Sequence, residues 1–256
     1  MPFEDPAIVV PKPRSPRRIY KLADGTRVPS VTQVLQVIAK PALIQWANRM
    51  GLQGINSDDY RDDKALIGTD AHSMVEHYFR GIVADIPEER RVTALPGFRH
   101  FLRWRNAHDV TPVLIEESFV SEKRRYGGTV DLVADVDGVR ELVDLKFTNG
   151  IYRDQFFQLA AYAVLLAENG HPVERVRIVQ CEREQSRRQP YEERSVEVVG
   201  ELRPYWDVFA AALRLWRAQD YFKGDKQRSK PTTEDHELNG KHKPSANSKG
   251  QTHDSI

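Results

Sequence analysis

The run GGTVDLVADVDGVRELVDLKF, Gly127 to Phe147, admits few conformations. Apolar residues alternate with polar ones on either side of Asp137-Gly138, a pair that suits a two-residue hairpin turn because both positions tolerate a positive φ. In the second strand, period two puts Leu142, Asp144 and Lys146 on one face and Val143, Leu145 and Phe147 on the other. In the first, Asp131 shares a face with Thr129 and Val133, and pairing brings it beside Asp144. A carboxylate in an apolar sheet costs several kcal/mol unless it is paired or binds a metal. An Asp-Lys ion pair at a sheet edge is the plain reading of these residues. A cation site is the chemical one.

The rest of the chain supplies elements around this hairpin. Residues 1–18 are proline-rich, end in PRSPRR and read as an extended basic arm. A small hairpin is expected around Asp24-Gly25, then a helix through SVTQVLQVIAK capped by Ser30 or Thr32. Pro41 opens a helix that Gly51 should close. KALIGTDAHSMVEHYFRG follows, with Ala71, Met74, Val75 and Tyr78 at helical spacing and Gly81 as the stop. PGFRHFLRWRNAHD reads as another amphipathic helix, with Phe98, Phe101 and Leu102 towards the core. After the strand VLIEESFVS and the hairpin come the apolar helix QFFQLAAYAVLLAENG, the strands RVRIVQCER and RSVEVV, and the helix RPYWDVFAAALRLWRAQ. The pattern implies an α/β fold, a central mixed β-sheet flanked by helices, over residues 19–223. Residues 224–256 are too polar to offset their ordering entropy and are expected to form a disordered tail.

Composition excludes several chemistries. Lys and Arg number 38 against 37 Asp and Glu, so nucleic-acid affinity would come from local patches and not from net charge. The one cysteine, Cys181, rules out a four-cysteine iron-sulfur or zinc site supplied by this chain and fits a reducing cytoplasmic setting. No stretch reaches the ~20 apolar residues of a membrane span, and the first residues lack the apolar core of a secretory signal. There is no Walker loop for ATP, no His-Glu-x-x-His and no G-x-S-x-G elbow.

Taken together, GGTVD, LVDLK and QLAAY, preceded by PSVTQVL, WANRMG and GTDAH, resemble the PD-(D/E)xK nuclease superfamily in its RecB-like and phage exonuclease branch. The resemblance runs from about Tyr20 to Val198. It implies a restriction-endonuclease-like core with an N-terminal helical region, and a Mg²⁺ or Mn²⁺ site with Asp131, Asp144 and the Leu145 carbonyl as oxygen ligands. It further implies His72 as a ligand from an N-terminal helix, with Glu76 one turn on. His77 is expected to face solvent. Lys146 would stand beside the attacking water and neutralise charge on the transition state. Gln158 and Tyr162 match the branch's Gln-x-x-x-Tyr motif, and Gln155 extends that stripe towards the DNA backbone. Glu116 matches a glutamate that often occurs on this strand.

Two basic loops are candidates for phosphate contacts: Lys123, Arg124 and Arg125 before the first hairpin strand, and Arg187 and Arg188 with Arg183 further on. The expectation is a metal-dependent DNA nuclease, an exonuclease of recombination, repair or phage DNA processing, acting on single strands or duplex ends with a recombination or helicase partner. A catalytically silent binding module on the same fold, or an endonuclease or flap nuclease, are the alternatives.

Overall fold

The computed structural model describes residues 18–148, 150–182 and 191–228. The fold begins with a two-stranded hairpin, β1 (Tyr20–Lys21) and β2 (Arg27–Val28), turned at Asp24-Gly25. Helices α1 (Val31–Leu35), α2 (Pro41–Leu52), α3 (Ser57–Arg80) and α4 (Glu88–Ala107) follow. Then come β3 (Val110–Ser121), β4 (Tyr126–Val136), β5 (Val139–Lys146), α5 (Arg153–Glu168), β6 (Arg175–Cys181), β7 (Tyr191–Glu197), the short α6 (Val198–Glu201) and α7 (Arg203–Arg228). The large sheet has the order β3-β4-β5-β6-β7, with β5 and β6 parallel across α5 and the other pairs antiparallel. It is the mixed sheet expected of the sequence. By packing, the chain divides into a unit through Leu213, which holds the sheet, and a second unit from Arg214, which holds the last turns of α7.

Several helix limits differ from expectation. Ser30 caps α1 through a capping box with Gln33, but α1 ends at Leu35. Pro41 disfavours helical backbone at the residue before it, and Lys40 sits at φ −122° and ψ 78°. Gly51 is helical, and the left-handed position falls at Gly54, φ 72°. Helix α3 starts at Ser57, seven residues before Lys64, because Asn56 accepts from the Asp58 and Asp59 amides and two acids sit at the positive helix end. Pro96 lies inside α4. Helix α7 continues to Arg228, past the boundary expected at residue 224. Residues 1–17 and 229–256 lie outside the described residues.

One face of the sheet packs on α3 and α4 through Leu132, Ala134, Val136, Val143, Leu145, Phe147, Val179 and Cys181, against Ala71, Val75, Ala94, Phe101 and Trp104. Phe98 and Leu102 border this core, as their spacing predicts, whereas Tyr78 is exposed. Asp70 on α3 is buried and takes both ends of the Arg90 guanidinium, which ties α3 to α4. The other face is covered by α5, whose Leu159, Ala160, Leu165 and Leu166 are buried. Among the described residues no helix is long and apolar enough to cross a membrane.

Strand β5 is buried from Glu141 to Leu145, and the charge of Glu141 is matched inside the sheet. Arg177 on β6 grips Glu141 with Nε at 2.6 Å and Nη2 at 2.8 Å, Arg175 adds a bond at 3.0 Å, and Arg177 also reaches Glu193 at 2.9 Å. Removing one partner of such a pair leaves a buried charge without compensation. Arg177→Ala is therefore expected to lower stability by about 3 kcal/mol, read from urea unfolding. Glu141→Leu combined with Arg177→Met recovers most of the loss.

Candidate active site

The register sets three carboxylates in a row. Ile115↔Leu132 and Glu117↔Val130 bracket Glu116 and Asp131, and continuing Leu132↔Val143 by one residue puts Asp131 opposite Asp144. At this row the β4–β5 ladder ends. The Leu145 amide donates to the Asp131 carboxylate at 2.9 Å, so the strands fork around a side chain. The alternation of β4 inverts at the same level. Leu132, Ala134 and Val136 join the α3/α4 core, yet Tyr126 and Gly128, of the same parity, meet α5. Asp131 consequently does not share a simple face with Thr129 and Val133, as strict period two predicts, and its carboxylate lies in the fork.

Four elements bring side chains here. His72 on α3 has Nδ1 3.7 Å from Asp131 Oδ2, and its ring meets the Phe147 ring edge-on at 5.0 Å. One ligand atom each of His72, Glu116 and Asp131 lies within 4.8 Å of the others, a spacing that can hold a metal ion. Glu116 accepts from Arg18 at 3.0 Å. Glu76 lies one turn from His72 but is held by Arg80 Nε at 3.1 Å. His77, expected to face solvent, is half-buried, with Nδ1 2.7 Å from the Ser73 carbonyl.

Asp144 is 2% exposed, with Lys146 Nζ 2.7 Å from its Oδ2. That contact pairs the buried Oδ2 with the Lys146 ammonium. Burial, reinforced by Asp131 and opposed by Lys146, pushes the Asp144 carboxyl up to about 6. Burial, with Asp131 and Glu76 adding and Arg18 opposing, pushes Glu116 up to about 7. For Lys146 burial works against the ammonium, but Asp144 and Asp131 outweigh it and its pKa is raised. A buried carboxylate beside a His-Glu-Asp group is an arrangement that can hold a hard divalent cation, and the oxygen-rich donor set fits Mg²⁺ or Mn²⁺. Leu145 places its amide at the fork, against the Asp131 carboxylate.

The α5 stripe connects to the lysine. Gln158 accepts from Lys146 at 3.3 Å and donates to the Tyr162 hydroxyl at 3.0 Å. Burial raises the Tyr162 pKa well above its ordinary value. Gln155 accepts instead from the Tyr152 amide at 2.9 Å, a contact that closes the start of α5. The tandem glycines explain the close packing: a Cβ on Gly128 would stand 2.4 Å from the Tyr162 ring, and one on Gly127 2.6 Å from Tyr20. Tyr20 in turn meets the Thr129 hydroxyl at 2.8 Å.

The basic loop lies five strand residues from Asp131, about 17 Å along β4. Lys123 and Arg125 are exposed there, Arg125 with φ 49°. Arg124 is engaged by Glu168 and lies over Trp206 at 5.1 Å. Arg183, Arg187 and Arg188 lie outside the described residues. Sequence reasoning missed Arg18, Arg80 and Tyr20, which carry no motif and reach the site only through the fold.

The raised carboxyls set a pH dependence. A folded pKa above the unfolded value gives stability that is full below about pH 4 and is lost as pH rises through the folded values of about 6 and 7. In EDTA, Glu116→Gln and Asp144→Asn are thus expected to gain stability over the parent between about pH 4 and 8, measured as the difference in urea midpoint. A difference independent of pH would contradict the assigned shifts.

Among the solved structures similar to this chain are two of one enzyme. One is an alkaline exonuclease, LHK-Exo, from Laribacter hongkongensis, at 14% identity, covering 78% of this chain and 93% of that one, with TM-score 0.35. The other is LHK-Exo in complex with dAMP, at 15% identity, covering 65% and 91%, with TM-score 0.33. No curated protein matches the sequence. The profile of the PD-(D/E)XK nuclease superfamily matches residues 44–234, a span that contains the fork, α3 and the α5 stripe. The chain belongs to the PD-(D/E)XK nuclease superfamily.

Proposed function

We propose that this protein is a divalent-metal-dependent deoxyribonuclease that hydrolyses phosphodiester bonds from DNA ends. The observation that carries the reading is the gathering of His72, Glu116 and Asp131 at the fork, each with a ligand atom within 4.8 Å of the others, beside the buried Asp144. These four side chains, with the Leu145 carbonyl, are the residues that would hold Mg²⁺ or Mn²⁺. A cation bound there supplies Lewis-acid activation of water and neutralises charge on the phosphoryl oxygens. DNA as substrate and attack from an end follow from the motif combination of the RecB-like and phage exonuclease branch.

The residues divide the remaining work. Lys146, with its pKa raised, is an ammonium at neutral pH and acts as a fixed positive charge, not as a base. It stabilises the negative charge that develops as the phosphodiester is attacked. Gln158 accepts from the lysine, holds it towards the fork and donates in turn to the Tyr162 hydroxyl. Burial keeps the tyrosine hydroxyl protonated, so it can offer a hydrogen but no charge. Lys123 and Arg125, exposed at the turn before β4, would meet backbone phosphates away from the reaction, a contact that is sequence-independent and salt-sensitive.

End-labelled linear DNA and covalently closed circular DNA, each incubated with Mg²⁺ or Mn²⁺, test this directly. Linear DNA should be degraded and circular DNA spared. Asp144→Asn and Lys146→Ala should each lower the rate at least ~100-fold. Full activity in those variants would remove the site assignment, and equal cutting of circles would make the enzyme an endonuclease.

A further inference from the structure

Glu116 reaches the ligand group through an unusual backbone. Its φ is 53°, in the left-handed region, and it is not a glycine. A residue of this kind costs on the order of 1 kcal/mol or more and persists only where its surroundings fix it. The irregularity is local, because Ile115↔Leu132 and Glu117↔Val130 on either side keep their pairing with β4. Something beyond the sheet ladder must therefore hold the peptide between Ile115 and Glu116.

Arg80, the last residue of α3, is in contact with that peptide. Its Nη2 donates to the Ile115 carbonyl at 3.1 Å, and its Nε donates to Glu76 Oε1 at 3.1 Å. The Ile115 carbonyl and the Glu116 nitrogen belong to one planar peptide, so holding the oxygen holds the plane about which the Glu116 φ is defined. The other branch of the guanidinium anchors to Glu76, one helical turn from His72. A single planar fork thus links the helix that carries His72 to the strand that carries Glu116. The end of α3 does not need Arg80 for closure, since Gly81 at φ 69° caps it with its own amide.

We infer that Arg80 is a positioning residue for the cation site: it locks the left-handed turn that aims Glu116 at Asp131 and His72. The inference rests on the metal-dependent reading proposed above. It requires the two-point geometry of arginine. Lysine carries the charge on one nitrogen and cannot span the Ile115 carbonyl and the Glu76 carboxylate with a rigid pair of donors.

The test is Mn²⁺ binding to the full chain, followed by calorimetry and by the spin-resonance signal of free Mn²⁺, with thermal midpoints recorded in EDTA. Arg80→Ala is expected to weaken Mn²⁺ binding about tenfold or more, the usual consequence of losing a residue that orients a metal ligand. Arg80→Lys should recover little of that affinity. Both variants should keep thermal midpoints near the parent's, because the Arg80 side chain is 46% exposed. Unchanged Mn²⁺ affinity in Arg80→Ala, or full recovery by lysine, overturns the inference; if the alanine variant does not fold, a lysine variant with parental affinity does so alone. Asp131→Asn serves as the reference: a parent protein with no Mn²⁺ uptake that this substitution abolishes overturns the metal site itself.

Discussion

The hydrogen bond from the Leu145 amide to the Asp131 carboxylate, 2.9 Å long, takes a position that a ladder carbonyl of β4 would fill in a regular hairpin. An unpaired backbone donor buried at this depth would be costly. By accepting it, Asp131 both satisfies the sheet and keeps its strand parted from β5. The parted strands expose a row of carboxylates to each other and leave room for His72 to approach from α3 and for Lys146 to reach Gln158 on α5. The same side chain is thus a structural plug for the sheet and a member of the candidate cation site.

That arrangement is electrostatically uneven. Glu116, Asp131 and Asp144 stand in adjacent strands, while the cations in contact with them are Lys146 at Asp144 and Arg18 at Glu116. Burial and mutual repulsion raise the proton affinity of Glu116 and Asp144, the state expected of acids gathered without enough positive charge. A divalent cation offsets the repulsion more compactly than protons do, since it is shared by several oxygens at once. The charge of Lys146 is kept for a different purpose: the aspartates that hold its proton also hold its position.

Much of this was legible in the sequence, and the parts that were not share a cause. The hairpin about Asp137-Gly138, the common face of Asp144 and Lys146, and the link from Gln158 to Tyr162 follow from local periodicity, which the structure keeps. The direction of Asp131 and Glu116 does not, because it depends on a single left-handed residue and on an inversion of β4 alternation that no residue pattern announces. Helix starts were missed for a related reason. The polar SDDYRDD segment belongs to α3 through its Asn56 cap and acidic first turn, with no apolar stripe to reveal it. Pro96 reads as a helix start and lies within α4, where packing of Ala94, Phe101 and Trp104 on the sheet outweighs the lost hydrogen bond. Arg18 and Arg80 reach the site from 98 and 35 residues away in sequence, a separation only the fold can close.

The two halves of the site are held by different means. Asp144 and Lys146 ride on the end of β5, past its last pair with β4 but still paired with β6, with the matched Glu141–Arg177 pair farther along the same strand. Glu116 lies on β3 at the sheet edge, and His72 on a helix packed across one face. Strain and side-chain hydrogen bonds, in place of a central strand, fix the second half. A small cation such as Mg²⁺ accepts little departure from octahedral geometry. A site that must meet that demand gains if a rigid strand sets one part of the donor set and locally clamped residues complete the rest. On this view the clamp is as much a part of the site as the ligands, because the register can bring Glu116 opposite Asp131 but cannot by itself turn its carboxylate inward.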